Sequence, residues 1–205
     1  MIEFVKPQDI EKRSFEIIKS ELGCELDPEL APVILRAIHT SADFEYAQSM
    51  AFSEHAIVDA VQALREGTSI ISDTNMVKAG IDKTRLHAFG GEALCFMKDE
   101  DVIQAAREHG TTRAKAAIDK AALLEPAILA IGNAPTALLR ICELKNEGRL
   151  NPRLVIGVPV GFVNVVESKE ELVRSGIPYI TALGRKGGSN IAAAICNALL
   201  RIAEK

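Results

Sequence analysis

The residues best suited to acid–base chemistry lie in one polar stretch, residues 36–46, which contains Arg36, His39, Asp43 and Glu45. Arg36 and His39 are three residues apart at the end of an apolar helical pattern, so their side chains can share one helix face. A histidine in that position can donate a proton near neutral pH, and Asp43 or Glu45 could orient it. From these residues alone, a helix cap or a solvated surface histidine is at least as good an interpretation.

A second polar segment, residues 184–190, has the composition of an anion-binding loop. It follows an apolar run and precedes a helical pattern, so Gly187 and Gly188 would leave backbone N–H groups free beside a helix N-terminus. Arg185 and Lys186 add two positive charges. A basic turn that only starts the helix is the alternative, and the coincidence of three features favours the anion site. Nucleotide-binding glycine patterns are missing from the sequence, so a nucleotide site has weak support.

Two asparagines come after other apolar runs. Asn133 precedes Pro135 at the start of a predicted helix, where a helix N-cap and an amide donor to a ligand are equal alternatives. Asn164 precedes a charged helical pattern and is open to the same two interpretations. Arg13 lies among the apolar positions of the first predicted helix, where a solvated charge or an ion pair with Glu16 or Asp9 is the simplest role.

Composition limits the ligands that such a site can take. The chain has 205 residues, of which 48% are hydrophobic and only 4% aromatic, with no Trp, so its core must be aliphatic. The formal net charge of −4 provides no basic field for nucleic acid or anionic lipid. We therefore expect no nucleic-acid partner and no membrane partner, and any anion site must be local.

The cysteines and the N-terminus predict a cytoplasmic protein. Cys24, Cys95, Cys142 and Cys196 are scattered, without the spacing of a zinc site or of a disulfide framework. We expect four small buried thiols in a reducing compartment and no metal site. The sequence shows no signal-peptide pattern and no charge-free run of transmembrane length.

The elements that must position these residues change character near residue 68. Before it, helical spacing predicts helices over 8–22, 28–38 and 54–65, with residues 39–53 irregular. After it, short apolar runs alternate with helical patterns. The predicted strands cover 69–72, 93–96, 127–131, 154–158 and 179–183, and the predicted helices cover 99–108, 112–122, 134–147, 168–175 and 188–203.

This alternation predicts an α/β fold with three layers, α/β/α, around a mainly parallel, Rossmann-like sheet of about five strands. Continuous apolar strands are typical of a sheet that is covered on both faces. With no repeat and no linker, we expect one domain over residues 1–205. Its helical N-terminal part, 1–67, would carry His39, and the part 68–205 would hold the sheet. Ligands of such sheets bind beyond the carboxyl ends of the strands, where residues 184–190 fall.

Six strings of this sequence, taken in order, resemble the precorrin-8X methylmutase family of cobalamin biosynthesis, including its cobalt-dependent branch. They occupy residues 10–15, 39–46, 73–81, 130–138, 159–169 and 184–190. No single string would suffice, but six in register over nearly the whole chain are a specific signal.

The resemblance implies an isomerase that moves a methyl group from C-11 to C-12 of a corrinoid precursor by a 1,5-sigmatropic shift. The product would be hydrogenobyrinate or, with cobalt already inserted, cobyrinate. The resemblance also implies that His39 protonates a ring nitrogen and that Arg13 and Arg36 bind the substrate. It implies a homodimer that needs no separate redox or nucleotide cofactor. We carry over no role for residues 73–75.

The residues and the resemblance agree on the chemistry of the ligand. A corrinoid precursor carries many peripheral carboxylates around a large apolar ring, which local cations, N–H groups and aliphatic walls would suit. Beside His39 as the acid, the predicted substrate-binding set is Arg13, Ser14, Arg36, Thr40, Asn133, Asn164, Arg185, Lys186, Gly187 and Gly188. A non-enzymatic tetrapyrrole carrier is an alternative. For a third alternative, a nucleotide-dependent enzyme, the alternation of strands and helices is the only support.

Overall fold

A six-stranded sheet forms the centre of the computed structural model, which describes residues 4–124 and 127–205. The first three residues, part of the stretch considered for a signal peptide, lie outside the described residues. The strands are β1 (Met50–Phe52), β2 (Ile70–Ser72), β3 (Ala93–Leu94), β4 (Ile128–Ile131), β5 (Leu154–Gly157) and β6 (Tyr179–Ala182). Their order across the sheet is β1-β6-β5-β4-β2-β3. All neighbouring strands are parallel except β1, which pairs antiparallel with β6.

Helices connect these strands and cover them. In the described part of the chain they are α1 (Ile10–Glu21), α2 (Ala31–Ser41), α3 (Tyr46–Ser49), α4 (Ala56–Arg65), α5 (Asn75–Gly80), α6 (Lys83–Ala88), α7 (Glu100–Glu108), α8 (Arg113–Ala121), α9 (Pro135–Asn146), α10 (Val165–Arg174) and α11 (Ser189–Ala203). Every predicted helix and strand is present. In the described residues, none of these helices is long and apolar enough to cross a membrane.

Two apolar cores lie on opposite faces of the sheet. Alternate side chains of β4 enter different cores, as the two-residue period of a strand requires. Ile128 and Ala130 pack with α2, α4 and α11, whereas Leu129 and Ile131 pack with α8 and α9. The predicted α/β class, with three layers and a mainly parallel sheet, is therefore confirmed, with six strands rather than about five.

The segment 39–53, predicted to be irregular, is in fact structured. Helix α2 begins at Ala31 rather than at residue 28, with Pro32 in its first turn, and it continues past Ile38 to Ser41, so it contains His39. Helix α3 and strand β1 follow. They are four and three residues long and lie in a polar stretch, so no apolar pattern marked them in the sequence. The short helices α5 and α6 were missed for the same reason.

Strand β1 brings the end of α2 to the edge of the sheet where ligands are expected. Parallel strands β2–β6 all end at this edge. Because β1 runs in the opposite direction, its first residue, Met50, pairs with Ala182 at the end of β6. The N–H of Leu183 then donates to the Ser49 carbonyl at 2.8 Å. The chain between His39 and β1 consequently lies beside the loops that follow the parallel strands.

Candidate active site

His39 lies exposed in the last turn of α2. Its imidazole packs against the Phe15 ring of α1, with ring centroids 5.3 Å apart and ring planes inclined by 45°. Within the described residues, no group hydrogen-bonds to either nitrogen of the His39 ring. The Phe15 ring therefore restricts the orientation of the imidazole, and both nitrogens are open to a ligand.

Phe15 also connects His39 to Arg36, whose guanidinium lies 4.9 Å from the centroid of the same ring. Arg36 forms an ion pair with Glu11, and Glu11 also pairs with Arg201 at 3.2 Å. Partial burial acts to raise the pKa of the Glu11 carboxyl, but the hydrogen bond and charge of Arg36 outweigh it and lower that pKa. Arg36 is thus held against α1 with much of its charge already compensated.

The other candidates of α1 and α2 lie around this contact. Arg13 pairs with Glu16 at 3.6 Å, one turn along α1, and its side chain is 42% exposed. The hydroxyl of Ser14 donates to the carbonyl of Ile10 at 2.8 Å, so its proton is engaged within α1. Thr40 is exposed at the end of α2. Packing of α1 on α2 brings this set together.

Lys186 joins the His39 segment to residues 183–188, which we call the glycine loop. Its ammonium lies 2.5 Å from the Asp43 carboxylate and 2.7 Å from that of Glu45. The hydrogen bond from Lys186 lowers the pKa of Asp43 below its usual value, and the same contacts raise the pKa of Lys186. Asp43 and Glu45 therefore bind Lys186 and not His39, so the idea that one of them orients the histidine is wrong.

The glycine loop has carbonyl groups turned towards the body of the protein. The buried Lys169 of α10 donates to the carbonyl of Gly184 at 2.9 Å and to that of Lys186 at 2.7 Å. In the part of the chain that the structure describes, no group accepts a hydrogen bond from the N–H groups of residues 185–187. A run of free N–H groups is what a backbone anion site requires.

Close packing requires glycine at position 187, which gives a prediction about stability. A Cβ on Gly187 would lie 2.2 Å from the carbonyl oxygen of Val158, and the residue has φ +155°. At Gly184, φ is +78° but nothing lies within 4 Å of a Cβ. We expect Gly187→Ala to lower the free energy of unfolding by roughly 3 kcal/mol, and Gly184→Ala by about 1 kcal/mol. Equal losses in urea titrations of the two variants would contradict this account.

Apolar side chains stand exposed around the glycine loop. Phe162 and Val163, in the loop between β5 and α10, are 80% and 78% exposed. Arg185 lies over the Phe162 ring, with its guanidinium carbon 5.4 Å from the ring centroid. Val160 and Leu183 add further exposed apolar surface at the same edge of the sheet. Clustered apolar exposure of this kind marks a surface that a ligand or another subunit covers.

A buried carboxylate, Asp73, organises the turn that follows β4. It accepts hydrogen bonds from the N–H groups of Gly132 at 2.9 Å, Asn133 at 2.8 Å and Ala134 at 2.7 Å. Burial raises the pKa of the Asp73 carboxyl, and these three donors act in the opposite direction. Asp73 therefore takes the N–H groups that would otherwise serve an anion at the start of α9.

Asn133 and Asn164 both lie exposed at this edge of the sheet. The N-cap residue of α9 is Ala134, so the N-cap interpretation of Asn133 is wrong. Asn164 precedes α10 in a left-handed conformation, φ 57°, and makes no side-chain cap bond. In residues 4–124 and 127–205 neither side-chain amide has a hydrogen-bond partner. Both amides are therefore available to a ligand.

The cysteines and acidic groups form no further centre. Among the residues that the structure describes, no cluster of three or more His, Cys, Asp or Glu side chains could hold a metal ion. Burial raises the pKa of Cys142 to about 11 and that of Cys196 to about 12, so both thiols are poor nucleophiles near neutral pH. Cys24 is exposed and Cys95 partly so, which corrects the prediction of four buried thiols.

An open cleft of about 800 Å³ lies between α1, α2 and the end of α11. Its wall includes Phe15, Arg36 and Arg201, but neither His39 nor the glycine loop. The cleft and the polar edge of the sheet are therefore separate features. Phe15 and Arg36, which contact each other, line the cleft, and Phe15 also contacts His39.

Comparison with known proteins assigns this arrangement to a family. The model of the CbiC family, precorrin-8X methylmutase, matches residues 9–202. The chain belongs to this family. It is 46% identical to the cobalt-precorrin-8 methylmutase of Priestia megaterium, over 98% of this chain and 90% of that protein. It is 43% identical to the protein of the same name from Leptospira interrogans, over 97% and 94% of the two chains.

A solved structure agrees with this assignment. The precorrin-8X methyl mutase of Thermus thermophilus is 40% identical in sequence and superposes with a TM-score of 0.87, covering 96% of this chain and 98% of that one. Membership of a family of methylmutases makes the chain an isomerase of corrin biosynthesis, as the resemblance implied.

Three residues of the site were not singled out by the sequence. Phe15 was one apolar residue among several on α1, and its contact with His39 spans 24 positions. Asp73 and Lys169 each act on a turn that is far away along the chain. Lys169 lies one turn before the apolar Leu172, on the inward-facing side of α10. A lysine at an inward-facing position of a helix is the signal that could have identified it.

Proposed function

We propose that this protein moves a methyl group from C-11 to C-12 of precorrin-8 or its cobalt complex, and that His39 protonates a ring nitrogen of the substrate. The observation that carries the proposal is the exposed His39 ring, packed on Phe15, with both nitrogens free of protein partners in the described residues. A shift within one molecule needs no oxidant, no reductant and no second substrate. One well-placed acid is therefore sufficient protein chemistry.

The proton would act by withdrawing electron density from the macrocycle. A protonated ring nitrogen makes the conjugated system cationic, which lowers the barrier to migration of the methyl group from C-11 to C-12. The proton returns to His39 when the product forms, so the acid is regenerated. General acid catalysis of this kind contributes a factor of roughly 10² to 10⁴.

The peripheral carboxylates of the substrate would be held by the groups around His39. Arg185 offers positive charge, and the free N–H groups of the glycine loop offer hydrogen bonds of fixed direction. The side-chain amides of Asn133 and Asn164 are further donors that have no partner among the described residues. Gly188 donates its N–H to Val158 at 2.9 Å, so its part is to shape the loop. On the α1–α2 side we assign the same binding role to Arg13, Arg36 and Thr40. Ser14, whose proton is engaged with Ile10, adds only contact surface, and Lys186, paired with Asp43 and Glu45, holds the glycine loop beside the end of α2.

We also propose a homodimer and a cytoplasmic location. The exposed Phe162 and Val163 support the dimer, because an apolar macrocycle lying on this edge needs a second wall to exclude water. The four free cysteines support a reducing compartment. Analytical ultracentrifugation of the purified protein tests the dimer directly.

The preferred substrate is, on this proposal, the cobalt-bearing one, because both curated relatives described above are named for it. The test is to incubate the purified protein with cobalt-precorrin-8 and, separately, with metal-free precorrin-8, and to follow the visible spectrum. Conversion of the cobalt form at a higher kcat/KM supports the proposal. Tight binding of both forms without any spectral change would identify a carrier and contradict it.

Arg185 provides a more local prediction. Its guanidinium has no carboxylate partner among the described residues and lies exposed over Phe162. We expect Arg185→Gln to raise KM about tenfold, the effect of losing roughly 1.4 kcal/mol of binding, with little change in kcat. Arg174→Gln, on the exposed face of α10, is the control and should leave KM unchanged. A wild-type KM for Arg185→Gln would show that this charge does not bind substrate.

A further inference from the structure

Lys169 of α10 is a fully buried lysine without a carboxylate partner in the described part of the chain. An ammonium group in such a place is costly unless hydrogen bonds compensate it. The two acceptors that Lys169 has are both backbone carbonyls of the glycine loop, those of Gly184 and Lys186. The hydrogen bonds that compensate the burial of Lys169 are therefore all made with this one loop.

The direction of these bonds determines where the N–H groups of the loop point. In a trans peptide the carbonyl of one residue and the N–H of the next point in opposite directions, and none of the described peptide bonds is cis. Lys169 draws the carbonyls of Gly184 and Lys186 inward, and the N–H of Gly161 draws in that of Arg185 at 3.2 Å. The N–H groups of residues 185–187 must then point away from these donors.

The outward N–H groups are the ones that have no acceptor among the described residues. The loop therefore has one satisfied side, facing Lys169, and one unsatisfied side that is free for a ligand. Without the two bonds from Lys169, the glycines of this loop would allow its peptide planes to rotate.

We propose that Lys169 is a positioning residue for the isomerase, which fixes the glycine loop so that its N–H groups meet the carboxylates of the substrate. The inference rests on the proposed function, since it needs a carboxylate-bearing ligand at this loop. Lys169 itself does not touch the substrate. Its effect is on binding rather than on the methyl shift, because the acid, His39, belongs to α2.

The chemistry of lysine suits this task. One Nζ carries three protons, so it can reach two carbonyls that are two residues apart, as a hydroxyl with a single proton cannot. Burial lowers the pKa of Lys169 to about 8. A neutral amine still has two N–H groups, so both carbonyls remain bonded on either side of that pKa.

The test compares Lys169→Met with Leu172→Ala in the full-length protein. Methionine fills nearly the same space and donates no hydrogen bond, and replacing an unpaired buried charge with an apolar group is compatible with folding. Leu172 is buried one turn further along α10, so its truncation lowers the stability of the protein without removing a hydrogen bond to the loop carbonyls. Lys169→Gln, which keeps an amide donor, is a second variant in case the first does not fold.

Two measurements are made on each variant. Trypsin cleavage after Arg185 or Lys186, followed by mass spectrometry without substrate, reports the order of the loop. Steady-state kinetics with cobalt-precorrin-8 separates KM from kcat. We expect Lys169→Met to be cleaved in the loop at least ten times faster and to raise KM at least tenfold, with kcat unchanged within threefold. Lys169→Gln should be intermediate, and Leu172→Ala should match the wild type in both measurements.

The outcomes separate this inference from the proposed function. If the wild type converts the substrate but Lys169→Met keeps the wild-type KM or the wild-type cleavage rate, the inference is overturned and the function stands. Equal changes in Leu172→Ala and Lys169→Met would show general destabilisation and overturn it as well. If the wild type converts no corrinoid, the proposed function fails and the substrate-binding role falls with it, while cleavage still shows whether Lys169 orders the loop.

Discussion

Replacing His39 with alanine is expected to lower kcat for the methyl shift by a factor of about 10² to 10⁴, while the dissociation constant of the product changes little. The loss follows from removing the acid, since no other histidine belongs to the described contacts around Phe15. Binding persists because the truncation leaves the ion pair between Arg36 and Glu11 in place. Single-turnover kinetics and a titration with the corrinoid product measure the two quantities.

Two further variants complete this experiment. His39→Asn keeps a polar side chain but cannot act as an acid, so it should be as slow as His39→Ala. His87→Ala, at an exposed position of α6, should keep the wild-type rate. Turnover of His39→Asn at the wild-type rate would mean that the proton comes from elsewhere.

Asp73→Asn is expected to cause the largest loss of stability among single polar substitutions in the site. The carboxylate of Asp73 is 2% exposed and accepts three backbone N–H groups at 2.7 to 2.9 Å. An amide would place its own NH₂ against some of these donors and leave them buried without an acceptor. We expect a decrease of about 3 kcal/mol or more in the free energy of unfolding, measured by urea titration.

Asp82→Asn is the matched control for this prediction. Asp82 caps α6 by accepting from the N–H of Arg85 at 3.1 Å, but it lies partly in solvent. Asparagine keeps the side-chain oxygen that caps α6 and loses only the ion pair with Arg85, so Asp82→Asn should cost less than about 1 kcal/mol. If the two substitutions destabilised the protein equally, the buried Asp73 bonds would have no special weight. Asp73→Asn should also raise KM, because Asn133 belongs to the turn that Asp73 holds.

The periodic parts of this fold could be predicted from the sequence. The strand β4 and the helix α11 are long enough for their apolar pattern to identify them, and alternation between such elements requires a covered parallel sheet. Strand β1 could not be found, because Met50–Phe52 lie within a polar stretch and form an antiparallel edge strand outside the alternation of strands and helices. It forms only because β6 offers it a partner, with Met50 opposite Ala182.

The candidate site was predictable as a set of residue types and not as a set of contacts. His39 and Arg36 are neighbours on one helix, which spacing alone indicates. Lys186 and Asp43 are 143 residues apart, and the bonds from Asp73 to the α9 turn span about 60. Such pairs depend on the order of the strands in the sheet, which no local pattern contains. For that reason Lys186 looked like a free anion ligand in the sequence and lies between two carboxylates in the structure.

The central claim is that this chain moves a methyl group within a corrinoid and that His39 is the acid. The most direct test is NMR of the product formed from precorrin-8 labelled with ¹³C in its C-11 methyl group, run separately on the cobalt-bearing and the cobalt-free substrate. We predict that wild-type protein moves the label to C-12, that His39→Ala leaves it at C-11 over the same time, and that an unlabelled substrate in the same tube gains no label. A label that stays at C-11 of both substrates with the wild type, or that reaches C-12 equally fast with His39→Ala, would contradict the account.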